Sequence, residues 1–202
     1  MLGITDYWSF VVAVLVFLAL PGPGTFALLT STGKGGFGAG AAATFGLIVG
    51  DQVLLWLAAL GVAAILQGHP ILFKSLQYAG AAYLVFVGLR LIFSRGANAQ
   101  PIPIRAGHYF RQALLITLLN PKAIVFYMAF FPLFIDPATQ QGPVTFAAMA
   151  VTIASLTLVY CLALVAFAQA VTAQVKAHRR LAQALERLAG VVLVAFGVRL
   201  VQ

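Results

Sequence analysis

Two ionisable side chains lie deep inside long apolar stretches of this sequence. Asp51 is near the middle of the stretch Gly38–Leu66, and Lys122 lies inside the stretch Phe110–Phe134. An acidic side chain at the centre of a bilayer costs about 2.5 to 3.5 kcal/mol on insertion scales, so Asp51 needs a compensating role. Because burial disfavours the charged form of a carboxyl group, Asp51 is a candidate proton carrier or a partner for a substrate ammonium. Alternatively, Asp51 pairs permanently with Lys122 and locks two helices together.

Clusters of proline and glycine interrupt two of the apolar stretches. Pro21-Gly22-Pro23-Gly24 lies about halfway along the first stretch, and Asn120-Pro121-Lys122 interrupts the fourth. A proline inside a helix removes a backbone hydrogen bond and clashes with the preceding turn, which costs about 3 kcal/mol or more. Backbone groups freed at bilayer depth are tolerated only where protein, a water-filled cavity or a ligand satisfies them. The breaks therefore predict either plain kinks or a binding site.

Together these groups complement a zwitterionic solute. Asp51 supplies a negative charge, Lys122 a positive charge suited to a carboxylate, and Asn120 an amide that both donates and accepts hydrogen bonds. This combination predicts amino-acid binding, with Asp51 also the candidate for proton coupling. The candidate substrate-binding residues are Pro21, Gly22, Pro23, Gly24, Asp51, Asn120 and Lys122.

The composition excludes several other classes of protein. Of the 202 residues, 62% are hydrophobic and 8% are charged, whereas a water-soluble domain carries about 25% charged residues. The single cysteine, Cys161, is interpreted as a small buried hydrophobic residue, since a disulfide framework or a zinc site needs a pair. The net charge of +8 comes from basic residues that punctuate apolar runs, so no nucleic-acid partner is expected. The three histidines have no second ligand at metal spacing, so neither a metal nor another cofactor is expected.

Six stretches approach the roughly 20 apolar residues that a helix needs to cross a bilayer. The sixth is the weakest, because its uninterrupted apolar part would rise only about 21 Å as a helix. Glycines in the second stretch, Gly46 and Gly50 among them, predict close helix packing. The predicted spans are Tyr7–Ser31, Gly38–Leu66, Pro70–Phe93, Phe110–Phe134, Pro143–Ala170 and Leu181–Val201.

The basic residues predict the orientation of these spans. In a six-span arrangement, only Lys74 and Arg199 fall on one side of the membrane. The crowded side is predicted to be cytoplasmic, which places both termini outside the cytoplasm. The basic residues of that side are Lys34, Arg90, Arg95, Arg105, Arg111, Lys176, Arg179, Arg180 and Arg187.

The chain is predicted to consist of two related halves. Residues 1–95 would form a first three-helix repeat, residues 96–109 a cytoplasmic linker and residues 110–202 a second repeat. The segment Val85–Ile92 closes span three much as Val194–Val201 closes span six, and both first spans are broken. Because each half has an odd number of spans, the halves enter the membrane from opposite sides. The predicted fold is all-α, a polytopic membrane protein of six helices in two inverted repeats with broken helices 1 and 4.

Several short motifs occur in a fixed order along the chain. They are Pro21-Gly22-Pro23, Gly46 with Gly50-Asp51, Tyr78–Leu84, Leu119-Asn120-Pro121-Lys122, Phe131-Pro132-Leu133-Phe134 and Asp136-Pro137. This ordered set resembles the LysE/RhtB family of bacterial amino-acid exporters over nearly the whole chain. The resemblance implies a secondary transporter of the inner membrane that expels amino acids such as lysine, threonine, homoserine or leucine by exchange with protons. In that membrane, the termini that the basic residues predict to lie outside the cytoplasm would be periplasmic. Gly24 and Thr25 stand where many relatives carry Asn or Asp, which leaves the substrate open.

Other classes of function remain as alternatives. An intramembrane enzyme could use Asp51 and Lys122 as acid and base, although such sites need a richer cluster of groups. A metal-cation exporter would need several carboxylates or histidines at one depth. A channel would need rings of carbonyls or charges, which the sequence lacks. The expected partners are an amino acid, protons and the lipid bilayer, and the sequence does not decide whether the chain forms a homo-oligomer.

Overall fold

The computed structural model describes residues 3–20, 22–68, 103–135 and 142–171, together with isolated helical positions between 71 and 93 and at 191 and 194. The predicted third and sixth spans and the first half of the predicted linker therefore lie outside the described residues, apart from those isolated positions. Pro21 also lies outside them. Within the described ranges, the regular structure is helical, and Ile4 and Ile135 form an isolated β-bridge.

The described helices coincide with predicted spans one, two, four and five. Two of them, α2 over Pro23–Val62 and α5 over Pro143–Gln169, are long and apolar enough to cross a membrane. The others are short because the first and fourth spans are each divided in two. The helices are α1 (Tyr7–Ala19), α2 (Pro23–Gly68), α3 (Tyr109–Leu118), α4 (Pro121–Phe130), continued by a 3₁₀ turn at Phe131–Phe134, and α5 (Pro143–Val171).

Helix α2 is bent sharply at Gly35 and Gly36. Gly36 has φ 68° and ψ −159°, a conformation that L side chains rarely adopt, and Gly35 also leaves the helical region. The bend divides α2 into a first arm, residues 23–34, and a second arm, residues 37–68. The first arm completes the predicted first span, and the second arm forms the second.

The two arms of α2 run antiparallel. A Cβ atom on Gly24 would lie 3.2 Å from the Leu47 side chain, and one on Gly40 would meet the Thr32 hydroxyl. Residues that are far apart along a continuous helix are therefore in contact across the bend. Glycine at these positions lets the two arms approach closely.

Helix α3 packs against the second arm through Gly46 and Gly50. A Cβ atom on Gly46 would run into the Phe110 carbonyl oxygen, and one on Gly50 would lie 2.7 Å from Thr117 Cβ. Residues four apart share one helix face, so the two glycines form a continuous seam for α3. The predicted close packing at these glycines is confirmed. The seam defined by Gly46 and Gly50 is called the glycine seam below.

Helix α5 runs antiparallel to the second arm of α2. The Gln52 amide donates a 3.1 Å hydrogen bond to the Ala150 carbonyl near the start of α5. Further along α5, the Val165 side chain lies against Gly40. The order of these contacts, 52 with 150 and 40 with 165, sets the direction of α5.

The bundle has two ends that the described contacts identify. At one end, Thr5 N–H donates to the Phe134 carbonyl at 3.0 Å, beside the bridge between Ile4 and Ile135. At the other, Lys34 Nζ donates to the Ile104 carbonyl at 2.7 Å. The start of the first span and the end of the fourth therefore share one end of the bundle, and the α2 bend shares the other with residue 104.

Aromatic side chains fill the core between α1 and α4. Phe126 stacks on Phe17 at 3.6 Å between ring centroids and on Phe130 at 4.2 Å. Phe130 in turn lies 4.6 Å from Phe134, whose backbone binds Thr5. These four phenylalanines, the aromatic column, extend from the break in the first span to the N-terminal end of the bundle.

Replacing Gly46 with alanine should destabilise the protein. The added methyl would clash with backbone of α3, and overpacking of this kind costs about 1 to 3 kcal/mol. Thermal denaturation of detergent-purified protein should show a lower Tm for Gly46→Ala. Gly38→Ala is the matched control, because a Cβ there meets nothing within 4 Å. An unchanged Tm for Gly46→Ala would contradict the close approach of α3.

Candidate functional site

The first helix break separates α1 from α2. Helix α1 ends at Ala19, and Leu20 is extended, with φ −70° and ψ 115°. Helix α2 starts at Pro23, which suits the first position of a helix because its missing N–H would be unpaired there anyway. The first hydrogen bond of α2 runs from Phe26 N–H to the Gly22 carbonyl at 3.0 Å.

The second break, between α3 and α4, has the same construction. Pro121 takes the first position of α4, and Ile124 N–H donates to the Asn120 carbonyl at 3.0 Å. The Asn120 side-chain oxygen also accepts a 3.0 Å hydrogen bond from Lys122 N–H. Asn120 therefore caps α4 and satisfies one of the amides that a helix start leaves free.

Both breaks lie at the depth of Asp51. Gly24, just after the first break, contacts Leu47, which is one helical turn before Asp51 in the second arm. Thr117, just before the second break, contacts Gly50, the neighbour of Asp51. Three features that are far apart in sequence therefore meet at one level of the bundle.

A cavity of about 60 Å³ lies between the breaks, which is room for a few water molecules. Five of the seven predicted binding residues line it, while Pro23 starts α2 without lining the cavity and Pro21 is outside the described residues. The wall is formed by both breaks, the second arm and α5. The lining residues are Phe17, Leu18, Leu20, Gly22, Gly24, Thr25, Leu28, Leu47, Asp51, Thr117, Asn120, Lys122, Ala123, Thr157, Tyr160, Cys161 and Leu164.

Lys122 connects the two breaks. Its ammonium donates to the Leu20 carbonyl at 2.8 Å and to the Phe17 carbonyl at 3.4 Å, both at the end of α1. It also lies 4.6 Å from the centroid of the Phe17 ring, within range of a cation–π interaction. A cation beside the last carbonyls of a helix is stabilised by the helix dipole. Lys122 therefore satisfies the carbonyls that the first break frees.

Asp51 has a different partner from the one that the sequence suggests. It is 7% exposed, and its carboxylate accepts a hydrogen bond from the Tyr127 hydroxyl of α4. In the part of the chain that the structure describes, no ion pair joins Asp51 to Lys122, although the two charges lie within electrostatic reach. The arrangement is thus not the permanent ion pair considered as a helix lock.

Sequence reasoning missed several polar groups at the site. Tyr127 and Tyr160 look like ordinary aromatic residues of an apolar helix, and only their hydroxyl groups set them apart. Thr157 is 1% exposed in the middle of α5 and is among the residues that line the cavity. Cys161 is buried against Leu28 and Leu47 as predicted, and it also lines the cavity. A polar side chain in an apolar helix indicates a possible functional residue, but the periodicity of such a helix does not show whether that side chain lies on the face toward the cavity.

The described residues contain no group of three or more His, Cys, Asp and Glu side chains that could hold a metal ion. The groups around the cavity are instead one carboxylate, one ammonium, hydroxyls, an amide and the starts of two helices. Such groups can hold a small charged solute through ionic contacts and hydrogen bonds.

Apolar membrane-length helices around a polar cavity at two paired helix breaks are the architecture of a membrane transport protein. The family model for LysE type translocators matches residues 15–202, and the chain belongs to this family. The family named from the sequence motifs is thereby confirmed.

Curated relatives align over almost the full length of the chain. An uncharacterized membrane protein of Pseudomonas aeruginosa is 36% identical, with 98% of this chain and 96% of the relative aligned. Leucine efflux proteins of Salmonella typhimurium and Klebsiella pneumoniae are 34% and 33% identical, each with 98% of this chain and 95% of the relative covered. No solved structure matches the chain significantly. The names of the Salmonella and Klebsiella relatives describe efflux.

Removing the cap on α4 should weaken the fold without any solute present. Asn120→Ala loses the acceptor for Lys122 N–H, and loss of such a cap costs about 0.5 to 2 kcal/mol. Asn120→Ser keeps a capping oxygen and is the matched control. Thermal denaturation in the absence of amino acids should give a lower Tm for alanine than for serine. Equal Tm values would show that the cap contributes nothing to stability.

Proposed function

We propose that this protein exports an amino acid across the bacterial inner membrane as a secondary transporter driven by proton antiport. The observation that carries the proposal is that Asp51 and Lys122 line one cavity without forming an ion pair with each other. Opposite charges held apart at the depth of two helix breaks complement the two charges of an amino acid. Membership of a translocator family supports transport rather than catalysis.

The cavity offers separate binding positions for the carboxylate and the ammonium of the amino acid. The carboxylate binds beside Lys122, near the starts of α2 and α4, where helix amides and the positive end of the helix dipole favour an anion. The ammonium binds beside the Asp51 carboxylate. Lys122 can exchange its carbonyl partners at Leu20 and Phe17 for the solute without being left unpaired.

The apolar part of the wall favours an apolar side chain. Leu18, Leu28, Leu47 and Leu164 face the cavity, and no further charged residue lines it within the described chain. A second ammonium, such as that of lysine, would therefore lack a partner in this wall. Relatives named leucine efflux proteins support the same substrate class. Leucine is accordingly the first solute to test.

Asp51 couples export to protons because it can bind either a proton or the ammonium of the amino acid, but not both at once. When Asp51 is ionised, it binds the ammonium of the amino acid, and when it is protonated that attraction is lost. A site that holds either the solute or a proton at Asp51 exchanges one for the other across the membrane. The hydrogen bond from Tyr127 holds the carboxylate in position for both partners.

Six spans in two inverted repeats, residues 1–95 and 110–202, complete the proposed architecture. The matching Gly22-Pro23 and Asn120-Pro121 breaks support the repeat. In each, a proline takes the first position of a helix, and the residue before that proline lines the cavity. Val62 belongs to the core cluster that contains Ile4, whereas Ile104 binds Lys34 at the other end. A further crossing between residues 68 and 103 would connect these two ends, as the third span requires.

The basic residues give this architecture its orientation. Lys34, Arg105 and Arg111 lie at the α2-bend end, and this excess of positive charge supports a cytoplasmic position for that end. The N-terminal end, with Ile4 and Ile135, would then face the periplasm. Both chain termini are periplasmic in this arrangement.

Asp51→Asn should abolish proton-driven uphill export while leaving membrane expression intact, because asparagine fits the space but cannot exchange a proton. Proteoliposomes loaded with labelled leucine and subjected to an imposed pH gradient would measure the effect. Asp6→Asn is the matched control, since Asp6 caps α1 outside the cavity and asparagine is also a good cap. Wild-type uphill efflux by Asp51→Asn would refute the proton-carrier role.

Lys122→Met should weaken leucine binding more than it weakens the fold. It keeps the apolar stem but removes the charge that faces the carboxylate, and a hydrogen bond to a charged group is worth about 1.5 to 3 kcal/mol, or roughly tenfold or more in affinity. The measurement is the leucine-induced rise in Tm. Lys34→Met is the control, because Lys34 also donates to a backbone carbonyl but lies outside the cavity. A large loss of Tm with an unchanged leucine effect would assign Lys122 a purely structural role.

A further inference from the structure

Thr157 differs from other threonines in the described helices. Thr32, Thr44, Thr117 and Thr152 each donate the side-chain hydroxyl to the carbonyl of the residue four positions earlier, at 2.8 to 3.0 Å. This is the usual way for a threonine inside an apolar helix to satisfy its hydroxyl. The Thr157 hydroxyl makes no such bond and has no hydrogen-bond partner among the residues that the structure describes.

The Thr157 hydroxyl is also fully enclosed. The residue is 1% exposed, so the surrounding lipid or water does not solvate the hydroxyl. Leaving a buried hydroxyl unpaired costs about 1 to 3 kcal/mol, and such groups usually have a partner that is bound only part of the time or a functional role. The cavity that Thr157 lines is a space that could admit such a partner.

The position of Thr157 along α5 places it close to Asp51 in depth. Ala150 binds Gln52 and Val165 contacts Gly40, so Thr157 falls at about the level of Leu47, one helical turn from Asp51. Cys161, one turn further along α5, also lies within electrostatic reach of Asp51. Thr157 therefore lines the cavity near the depth at which the charged end of a solute would sit.

We propose that Thr157 is a substrate-binding residue whose hydroxyl hydrogen-bonds the charged head group of the transported amino acid beside Asp51. The proposal deepens the proposed function and rests on it. Thr157 adds a polar contact from α5 to those that both breaks and the second arm supply. In this proposal the solute supplies the hydrogen-bond partner that the Thr157 hydroxyl lacks among the described residues.

Thr157→Val tests the proposal, because valine has nearly the same shape and lacks the hydroxyl. We expect the KM for leucine efflux from proteoliposomes to rise about tenfold or more, as for loss of a hydrogen bond to a charged group. The Tm without leucine should stay the same or rise, because no existing bond is lost. The leucine-induced rise in Tm should shrink, and Thr157→Ser should restore both binding measures.

Ser31→Ala is the matched control. Ser31 has the other unpartnered buried hydroxyl among the described residues, and it does not line the cavity. Its KM for leucine should equal that of the wild type. A wild-type KM and leucine effect in Thr157→Val would overturn the proposal, and would mean that the hydroxyl holds only cavity water. A loss of Tm without leucine that accounts for the whole defect would also overturn it.

The experiment separates this proposal from the proposed function. If the wild type shows neither leucine efflux nor a leucine-induced rise in Tm, leucine export itself fails and the role of Thr157 fails with it. If the wild type responds to leucine and only the role of Thr157 fails, the export proposal stands on Asp51 and Lys122 alone.

Discussion

Backbone groups that two broken helices leave unpaired at the depth of Asp51 are the constraint on which the rest of the structure depends. Each break is built to limit the number of these groups: a proline starts the second helix, so one N–H is absent, and Asn120 caps another. Lys122 then takes the carbonyls at the end of α1. The remaining polar groups need a space that can admit water or a solute, and the cavity is large enough for water molecules. A polar site inside an apolar bundle thus follows from the breaks themselves.

The absence of an ion pair between Asp51 and Lys122 is as informative as their common location. A buried ion pair closed on itself would present little net charge to a solute, and separating it would oppose binding. Here each charged group has a neutral hydrogen-bond partner. The Asp51 carboxylate accepts from the Tyr127 hydroxyl, and the Lys122 ammonium donates to backbone carbonyls. Both charges remain directed at the same small space, and neither depends on the other for its position.

Much of this architecture can be predicted from the sequence, because apolar length and proline placement are strong signals in a membrane. The four described spans begin and end within about two residues of their predicted limits, and both breaks lie where the prolines place them. The partners of the site are harder to predict. Helices that are apolar on every side have no amphipathic pattern to show which face meets the cavity, so Tyr127 and Thr157 are not distinguishable from core residues. The sequence has several glycines at which α2 could bend, and only the backbone conformation shows that the bend is at Gly36.

The glycine seam has a consequence for how such a bundle can move. The second arm lies directly against the α3 backbone at Gly46 and against the Thr117 side chain at Gly50, so the two helices cannot slide or tilt past one another without a collision. They behave as one rigid body that carries Asp51 on one helix and leads into the second break on the other. Any hinge that alternates access to the solute must therefore divide the bundle along another boundary, such as that between α1 and α4, where aromatic side chains rather than backbone atoms are in contact.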